Sequence, residues 1–172
     1  DNLGDITYSD FNFDKYVLLL DKLVNAGTSI YSGAYIMASG KSSFGYNKKH
    51  LNHLALLQKM MNDNIVANIQ ACKKMENVFD LLKSYPTIGS FLAYQYCIDI
   101  NYSNIISFSE MEFVVPGPGA RDGINKCFSN AQNFKESDII LMMAESQDIE
   151  FERLQLNFKN LFGRRLQLID CQ

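Results

Sequence analysis

The chain has 172 residues, 47% of them hydrophobic, and a formal net charge of −3. That length suits one domain with a real core, and that hydrophobic share excludes wholesale disorder. The charge excludes a global basic field, so a nucleic-acid partner has to be held by local features.

Cys72, Cys97, Cys127 and Cys171 stand far apart with no C-x-x-C pair, and His50 and His53 lie far from all of them. Metal-ligand spacing is missing, no metal or cofactor is expected, and isolated reduced thiols fit an intracellular, reducing compartment. No run of about 18 apolar residues occurs, so no membrane partner is expected, and no signal peptide opens the sequence. The start at Asp1 and the stop at Gln172 read as an excerpt of a longer protein or as trimmed ends.

In chain order, the first predicted helix runs from Phe11 to Asn25, where Phe13, Tyr16, Val17, Leu20, Leu23 and Val24 recur at three- and four-residue steps. Ser9 or Asp10 is its expected cap, and Gly27 its expected end. The stretch from Ile30 to Met37 is read as a short buried helix, since no strand candidate exists to pair with it. Ser39 to Asn47 is a loop. Its flanking Lys41, Lys48 and Lys49, interleaved with Phe44 and Tyr46, form a basic-aromatic patch that either grips a nucleic-acid backbone or is a solvated loop.

A second helix spans Lys48 to Asp63, with Leu51, Leu54, Leu57, Met60 and Met61 apolar. His50 and His53 share its face, without an acidic or thiol residue nearby to complete a metal site. A third runs from Asn64 to Tyr85 and stops at Pro86. Thr87 is the expected cap of a fourth, Ile88 to Ile100, which is apolar nearly all round and therefore central. Gln95 and Asp99 sit on it one turn apart. A carboxylate and an amide in such a helix either tie neighbours together or face a cleft.

A polar linker, Asn101 to Ser107, and a turn at Ser109–Glu112 lead to Pro116-Gly-Pro-Gly119. Glycines there permit left-handed backbone, and the prolines fix φ and remove two amide donors. The outward amides of Gly119 and the following turn offer a place for one anionic group such as a phosphate; a plain turn is the alternative. Ala120 to Phe128 is helical, Asn130 to Glu136 a loop, and Ser137 or Asp138 starts a last long helix with a break near Ser146–Asp148. Gly163 ends it. Arg164, Arg165 and a short apolar tail follow. Helical periodicity dominates throughout, so the class is all-α, a single helical domain over 1–172 with a helix-hairpin-helix element at 108–128.

A turn of this kind before a helix resembles the helix-hairpin-helix element of the DNA glycosylase superfamily, whose hairpin amides bind a DNA phosphate. Taken in order, Ile88-Gly-Ser-Phe-Leu-Ala-Tyr-Gln95, Asp99 with Tyr102, Pro116-Gly-Pro-Gly-Ala120 with Gly123, and Gly163-Arg-Arg-Leu-Gln-Leu-Ile-Asp-Cys-Gln172 resemble the helical domain attached to 5-hydroxymethyl-deoxyuridine DNA kinases. They equally resemble the related proteins first labelled α-glutamyl/putrescinyl thymine pyrophosphorylases. The likeness covers Asp10 to Gln172 and is dense over Tyr85–Gly123 and at the C-terminus.

That resemblance implies a glycosylase-like helical domain acting in hypermodification of thymine bases in DNA. In such pathways a 5-hydroxymethyl base is phosphorylated, and an amine or amino acid then displaces pyrophosphate. The domain is then either a base-modifying transferase, pyrophosphorylase or glycosylase-like enzyme, or a module presenting the base to a kinase or transferase partner. A non-catalytic DNA-binding module and a helical interaction domain are the alternatives. The implied phosphate-binding residues are Gly117, Gly119, Ala120 and Arg121, and the further DNA-contacting candidates are Lys41, Lys48, Lys49, Arg164 and Arg165. Arg121 stands where bifunctional superfamily members carry a lysine nucleophile, which excludes lyase chemistry through that residue. Asp138 lies one residue short of their catalytic aspartate, and helix capping also explains it. Gln95 and Asp99 are the candidates for orienting a flipped pyrimidine or for stabilising charge at its C5 methylene. Family members continue past Asp170-Cys-Gln into a further basic-aromatic segment, before which this sequence stops.

Overall fold

The computed structural model describes residues 7–33 and 37–172, the side chain of residue 162 aside. Among them the α-helices are α1 (Phe13–Asn25), α2 (Lys41–Phe44), α3 (Lys49–Asn62), α4 (Ile65–Ala71), α5 (Met75–Lys83), α6 (Ser90–Asn101), α7 (Pro118–Cys127) and α8 (Glu136–Arg153). Two single 3-10 turns, Ala131–Asn133 and Leu161–Gly163, complete the list, and no strand occurs among the described residues. The all-α class follows directly. The helices gather into two compact units, one of residues 1–71 and 83–89, the other of 72–82 and 90–172.

In the first unit α3 is the hub, packed by α1, α2 and α4. Leu54 and Leu56 of α3 and Ile65 and Ile69 of α4 are buried with Tyr85 and Ile88. A polar residue organises the surrounding loop. Asn52 is 1% exposed; its Oδ1 accepts from Tyr46 N–H at 3.0 Å, while its Nδ2 donates to Ser39 O at 2.9 Å and Tyr46 O at 3.0 Å. One amide thus supplies partners for three backbone groups of the loop. Gly40 adopts φ 72° directly over it, and a Cβ there would press on Asn52 Cβ. Here α2 replaces part of the expected loop.

The two histidines are structural. His50 is buried and donates from Nε2 to Asp21 at 2.9 Å, which also takes Lys48 Nζ at 2.7 Å. The Lys48 hydrogen bond, with His50 behind it, holds the Asp21 carboxyl below its ordinary range. His53 bonds Ala38 O through Nε2 at 2.8 Å and the Tyr31 hydroxyl through Nδ1 at 2.9 Å. A carbonyl only accepts, so Nε2 carries the proton and Nδ1 accepts.

Several boundaries differ from expectation. Asn12 caps α1, with Oδ1 accepting from Lys15 N–H at 2.9 Å, in place of Ser9 or Asp10. Residues 30–33 and Met37 are not helical, and 34–36 of that expected helix lie outside the described residues. The single helix expected over Asn64–Tyr85 is α4 plus α5. Ile69, Cys72 and Met75 keep helical spacing, yet the chain leaves the helix at Cys72–Lys74 and restarts at Met75. α8 runs unbroken through Ser146–Asp148 and stops at Arg153. Gln155, at φ 55°, follows that end, so the apolar residues from Leu156 onward are not a continuation of the helix.

In the second unit Met75, Val78, Phe79 and Leu82 from α5 and Leu92, Ala93, Tyr94, Cys97 and Ile98 from α6 are buried. Phe113, in the segment leading to α7, packs tilted at 5.2 Å against Phe79 and edge-on at 6.0 Å against Tyr94. Ile124, Ile139, Ile140 and Ala144 are buried on α7 and α8, and these two helices pack together. This packing fixes the direction in which α7 begins.

Thr87 does not cap α6. It sits at φ 71°, and its buried Oγ1 has no hydrogen-bond partner among the described residues. A β-branched residue in the left-handed region costs about 1–2 kcal/mol, and an unpaired buried hydroxyl adds to that. Thr87→Gly is therefore expected to raise the melting temperature, with a gain of about 1 kcal/mol after the glycine's greater unfolded-state freedom is discounted. A thermal melt below that of the parent would show that the threonine methyl contributes more than the strain removes.

Candidate nucleic-acid interface

One face of α6 carries Phe91, Gln95 and Asp99 at successive four-residue steps, and Tyr102 continues it just past the helix end. The opposite face holds the buried Ala93 and Cys97, and Leu92, Tyr94 and Ile98 are buried along the flanks. Phe91 is 44% and Tyr102 60% exposed, Asp99 is exposed and Gln95 half-buried. Two aromatic rings therefore flank an amide and a carboxylate. Such a surface offers stacking at its ends and hydrogen-bonding edges between them.

Against this face come two segments distant in sequence. Pro116-Gly-Pro-Gly119 is a helix start, with Gly117 as N-cap and Pro118 at the first position of α7. Proline is favoured there because its fixed φ is helical and its missing N–H would be unbonded anyway. Gly117 has φ −79° and Gly119 is helical, so neither uses the left-handed freedom expected of a hairpin. A Cβ at Gly117 would collide with the Gln172 side-chain amide. No side chain caps α7, and Arg121 N–H returns to Gly117 O at 3.1 Å. The amides of Gly119 and Ala120 thus stand outside the helix's own ladder, at its positive end. Ahead of α7, Ser109–Glu112 is a single turn closed by Glu112 N–H on Ser109 O at 3.2 Å.

The C-terminal segment completes the arrangement. Gln147, 4% exposed on α8, pairs both ways with the Leu166 backbone: Nε2 to Leu166 O at 3.0 Å, and Leu166 N–H to Oε1 at 2.9 Å. Leu168 is buried beyond that point. Arg164 then reaches Asp170 at 2.6 Å, and Asp170 also accepts Gln167 N–H at 2.8 Å. Glu110 lies 3.9 Å from Arg164 and accepts the Tyr102 hydroxyl at 3.4 Å. Burial, with Glu110 next, pushes the Tyr102 phenol up, while Arg164 opposes. The Asp170 hydrogen bond holds the guanidinium charged. The chain so folded lays Gln172 over Gly117, where its Oε1 accepts from Gln95 Nε2 at 3.4 Å.

The other expected site residues are placed as follows. Asp99 is not paired with Gln95; its carboxylate has no hydrogen-bond or ion-pair partner among the described residues, and its charge raises the Tyr96 phenol after burial does. Asp138 is exposed in the first turn of α8, one turn past the N-cap Lys135, so it is not a cap. It lines a small cleft of about 160 Å3 with Phe128, Phe134 and Met142, apart from Gln95 in sequence and in partners. Arg121 pairs with Glu136 at 3.0 Å, and Arg165 with Asp148 at 2.9 Å. In the first unit, Lys48 is held by Asp21 and Lys49 lies 4.7 Å over the Tyr31 ring, while Lys41 opens α2. The basic candidates are mostly engaged within the fold.

Gln172, Glu110 and Gln147 were not foreseen as site residues. The Gln147 stripe position among Ile140 and Ala144 was the available signal, because a lone amide on a buried helical face needs a partner. Gln147 also borders an apolar cleft of about 530 Å3 with Phe128, Met142, Met143, Phe151, Leu166 and Cys171. Burial pushes the Cys97 thiol up to about 12 and raises Cys171 as well. No cluster of metal-ligating side chains and no helix long and apolar enough to cross a membrane occurs among the described residues.

The family model described as "5-hmdU DNA kinase, helical domain" matches residues 1–172, the whole sequence. A 5-hmdU DNA kinase of Bacillus phage SP10 is 23% identical over 147 residues, covering 78% of this chain and 23% of the phage protein. The chain thus spans under a quarter of the length of that relative. No solved structure matches it.

Two outcomes follow from this geometry. Gly117→Ala is expected to turn the Gln172 carboxamide aside and shift its side-chain NH2 resonances, while Gly119→Ala, which meets open space, leaves them unchanged. Equal Gln172 side-chain resonances in both variants would break the link between Gly117 and Gln172. Iodoacetamide at about pH 8 should alkylate the exposed Cys127 and spare Cys97 until the chain is denatured; native labelling of Cys97 would contradict its burial.

Proposed function

The chain belongs to the family of 5-hmdU DNA kinase helical domains, and from that premise we propose that it binds DNA and acts in modification of thymine or 5-hydroxymethyluracil bases. The α7 N-terminus holds a backbone phosphate on the amides of Gly119 and Ala120. The α6 face, between Phe91 and Tyr102, receives an extruded pyrimidine and presents or processes it. Asp99 is the charged group available beside such a base, suited to orienting it or to offsetting charge at its C5 methylene. With Arg121 in place of a lysine, the α7 start positions DNA and does no covalent chemistry.

One observation carries this reading. Gln95, Gly117 and Gln172 come from three separate stretches of sequence and meet at one point. A fold that needed only a core has no reason to bring an exposed aromatic-polar face, an uncapped helix start and residues 164–172 together. The modest charge of the site, with Glu110 and Asp170 on Arg164 and Asp99 adding a further negative charge, points to few phosphate contacts. A kinase or transferase portion of a longer polypeptide is the expected partner for the chemistry.

Fluorescence anisotropy with a short duplex carrying one 5-hydroxymethyluracil tests it. Binding is expected to weaken with salt with a slope of about −1 to −3 in log–log form, near −0.9 per phosphate neutralised. Gly119→Ala, harmless to the fold, is expected to lower affinity several-fold by crowding the two amides. No binding at low salt would leave a helical interaction domain as the reading. The exposed Ile149, Leu154, Leu156 and Phe158 are the observation that favours it.

A further inference from the structure

We propose that Gln172 is a specificity-determining residue of this face, forming with Gln95 a two-point amide edge for the imide of a uracil-type base. The inference rests on the DNA reading above and assigns the group that distinguishes one pyrimidine from another.

The two carboxamides share one long hydrogen bond, Gln95 Nε2 to Gln172 Oε1 at 3.4 Å. In that orientation Gln172 Nε2, which lies against Gly117, still has donor hydrogens to give, and Gln95 Oε1 has lone pairs to accept. A uracil-type edge presents a carbonyl oxygen next to an N3–H. The carbonyl accepts from Gln172 Nε2 and the N3–H donates to Gln95 Oε1, so both remaining positions are matched. Cytosine presents an exocyclic amine next to an unprotonated ring nitrogen, which sets donor against donor and acceptor against acceptor.

Gln172 is placed for this work by a series of contacts along residues 164–172. Gln147 pairs with the Leu166 backbone at 3.0 and 2.9 Å, Leu168 is buried, and Arg164 closes on Asp170 at 2.6 Å. Cys171 and Gln172 N–H groups then return to Leu168 and Ile169 carbonyls at 3.2 and 3.4 Å in a final turn. The bare Cα of Gly117 leaves the room that the amide occupies. All of this ends on a bond too long to be the purpose of the arrangement, since a good N–H···O contact is nearer 2.9 Å. Phe91 and Tyr102, exposed on the same helix face, supply ring surfaces on either side.

The test uses the full chain and three single-stranded oligonucleotides identical except at one central position, which is 5-hydroxymethyluracil, cytosine or an abasic site. The parent is expected to prefer 5-hydroxymethyluracil over cytosine by about tenfold, the scale of one good bidentate base contact. Gln172→Ala and Gln172→Glu should each collapse that ratio toward one, with abasic binding unchanged; the glutamate keeps the size and loses the donor. A parent ratio that survives in Gln172→Ala would overturn the assignment while leaving the DNA reading intact. A parent that binds none of the three oligonucleotides would overturn both.

Discussion

The second unit depends on a buried amide that behaves like a piece of backbone. Gln147 offers Leu166 a donor and an acceptor in the spacing of a neighbouring strand. A segment with no helix or sheet of its own is thereby given two hydrogen bonds that it cannot make internally. Losing either partner would strand a polar group in a dry environment, which costs far more than the bond itself contributes in water. Everything after Leu166 inherits its position from that pairing: the buried Leu168, the Arg164–Asp170 closure, and Gln172 above Gly117.

The same device recurs in the first unit. Asn52 arranges a loop by satisfying Ser39 and Tyr46. In both cases a side-chain amide replaces secondary structure, and in both the surrounding chain is free of regular elements except for single turns. These residues carry little hydrophobic energy. Their role is to select one loop path among many of similar burial, because every alternative path leaves a buried group unpaired.

Much of the helical plan was legible in periodicity. α1, α3, α6 and α8 each show apolar residues at helical steps, but burial departs from those stripes: α3 buries His50, Asn52, Leu54 and Leu56 and exposes Leu57, and α8 buries Ile139, Ile140, Ala144 and Gln147 and exposes Met142 and Ile149. Boundaries were less legible where polar residues choose among local partners. Thr87 looked like a cap and turned out to be a strained left-handed residue; Asn12, hidden among candidates, was the cap. Within the site, Gln95, Gly117 and the C-terminal stretch were readable as separate blocks. Their meeting was not, because it depends on the Gln147–Leu166 and Arg164–Asp170 pairings, which join residues with no local sequence relation. Pro-Gly-Pro-Gly looked like a hairpin because two glycines suggest unusual φ; Gly117 has φ −79° and Gly119 is helical.

The Arg164–Asp170 closure has a consequence for how a ligand is met. Residues 164–172 make no extended strand or helix, yet they are ordered in the free chain by contacts internal to the fold. The loss of segmental freedom that usually accompanies a flexible arm wrapping its target is already complete here when folding ends. Association at this face then involves no large disorder-to-order term. Its temperature dependence should follow the modest apolar area covered, with a small heat-capacity change in place of the large one that marks coupled folding.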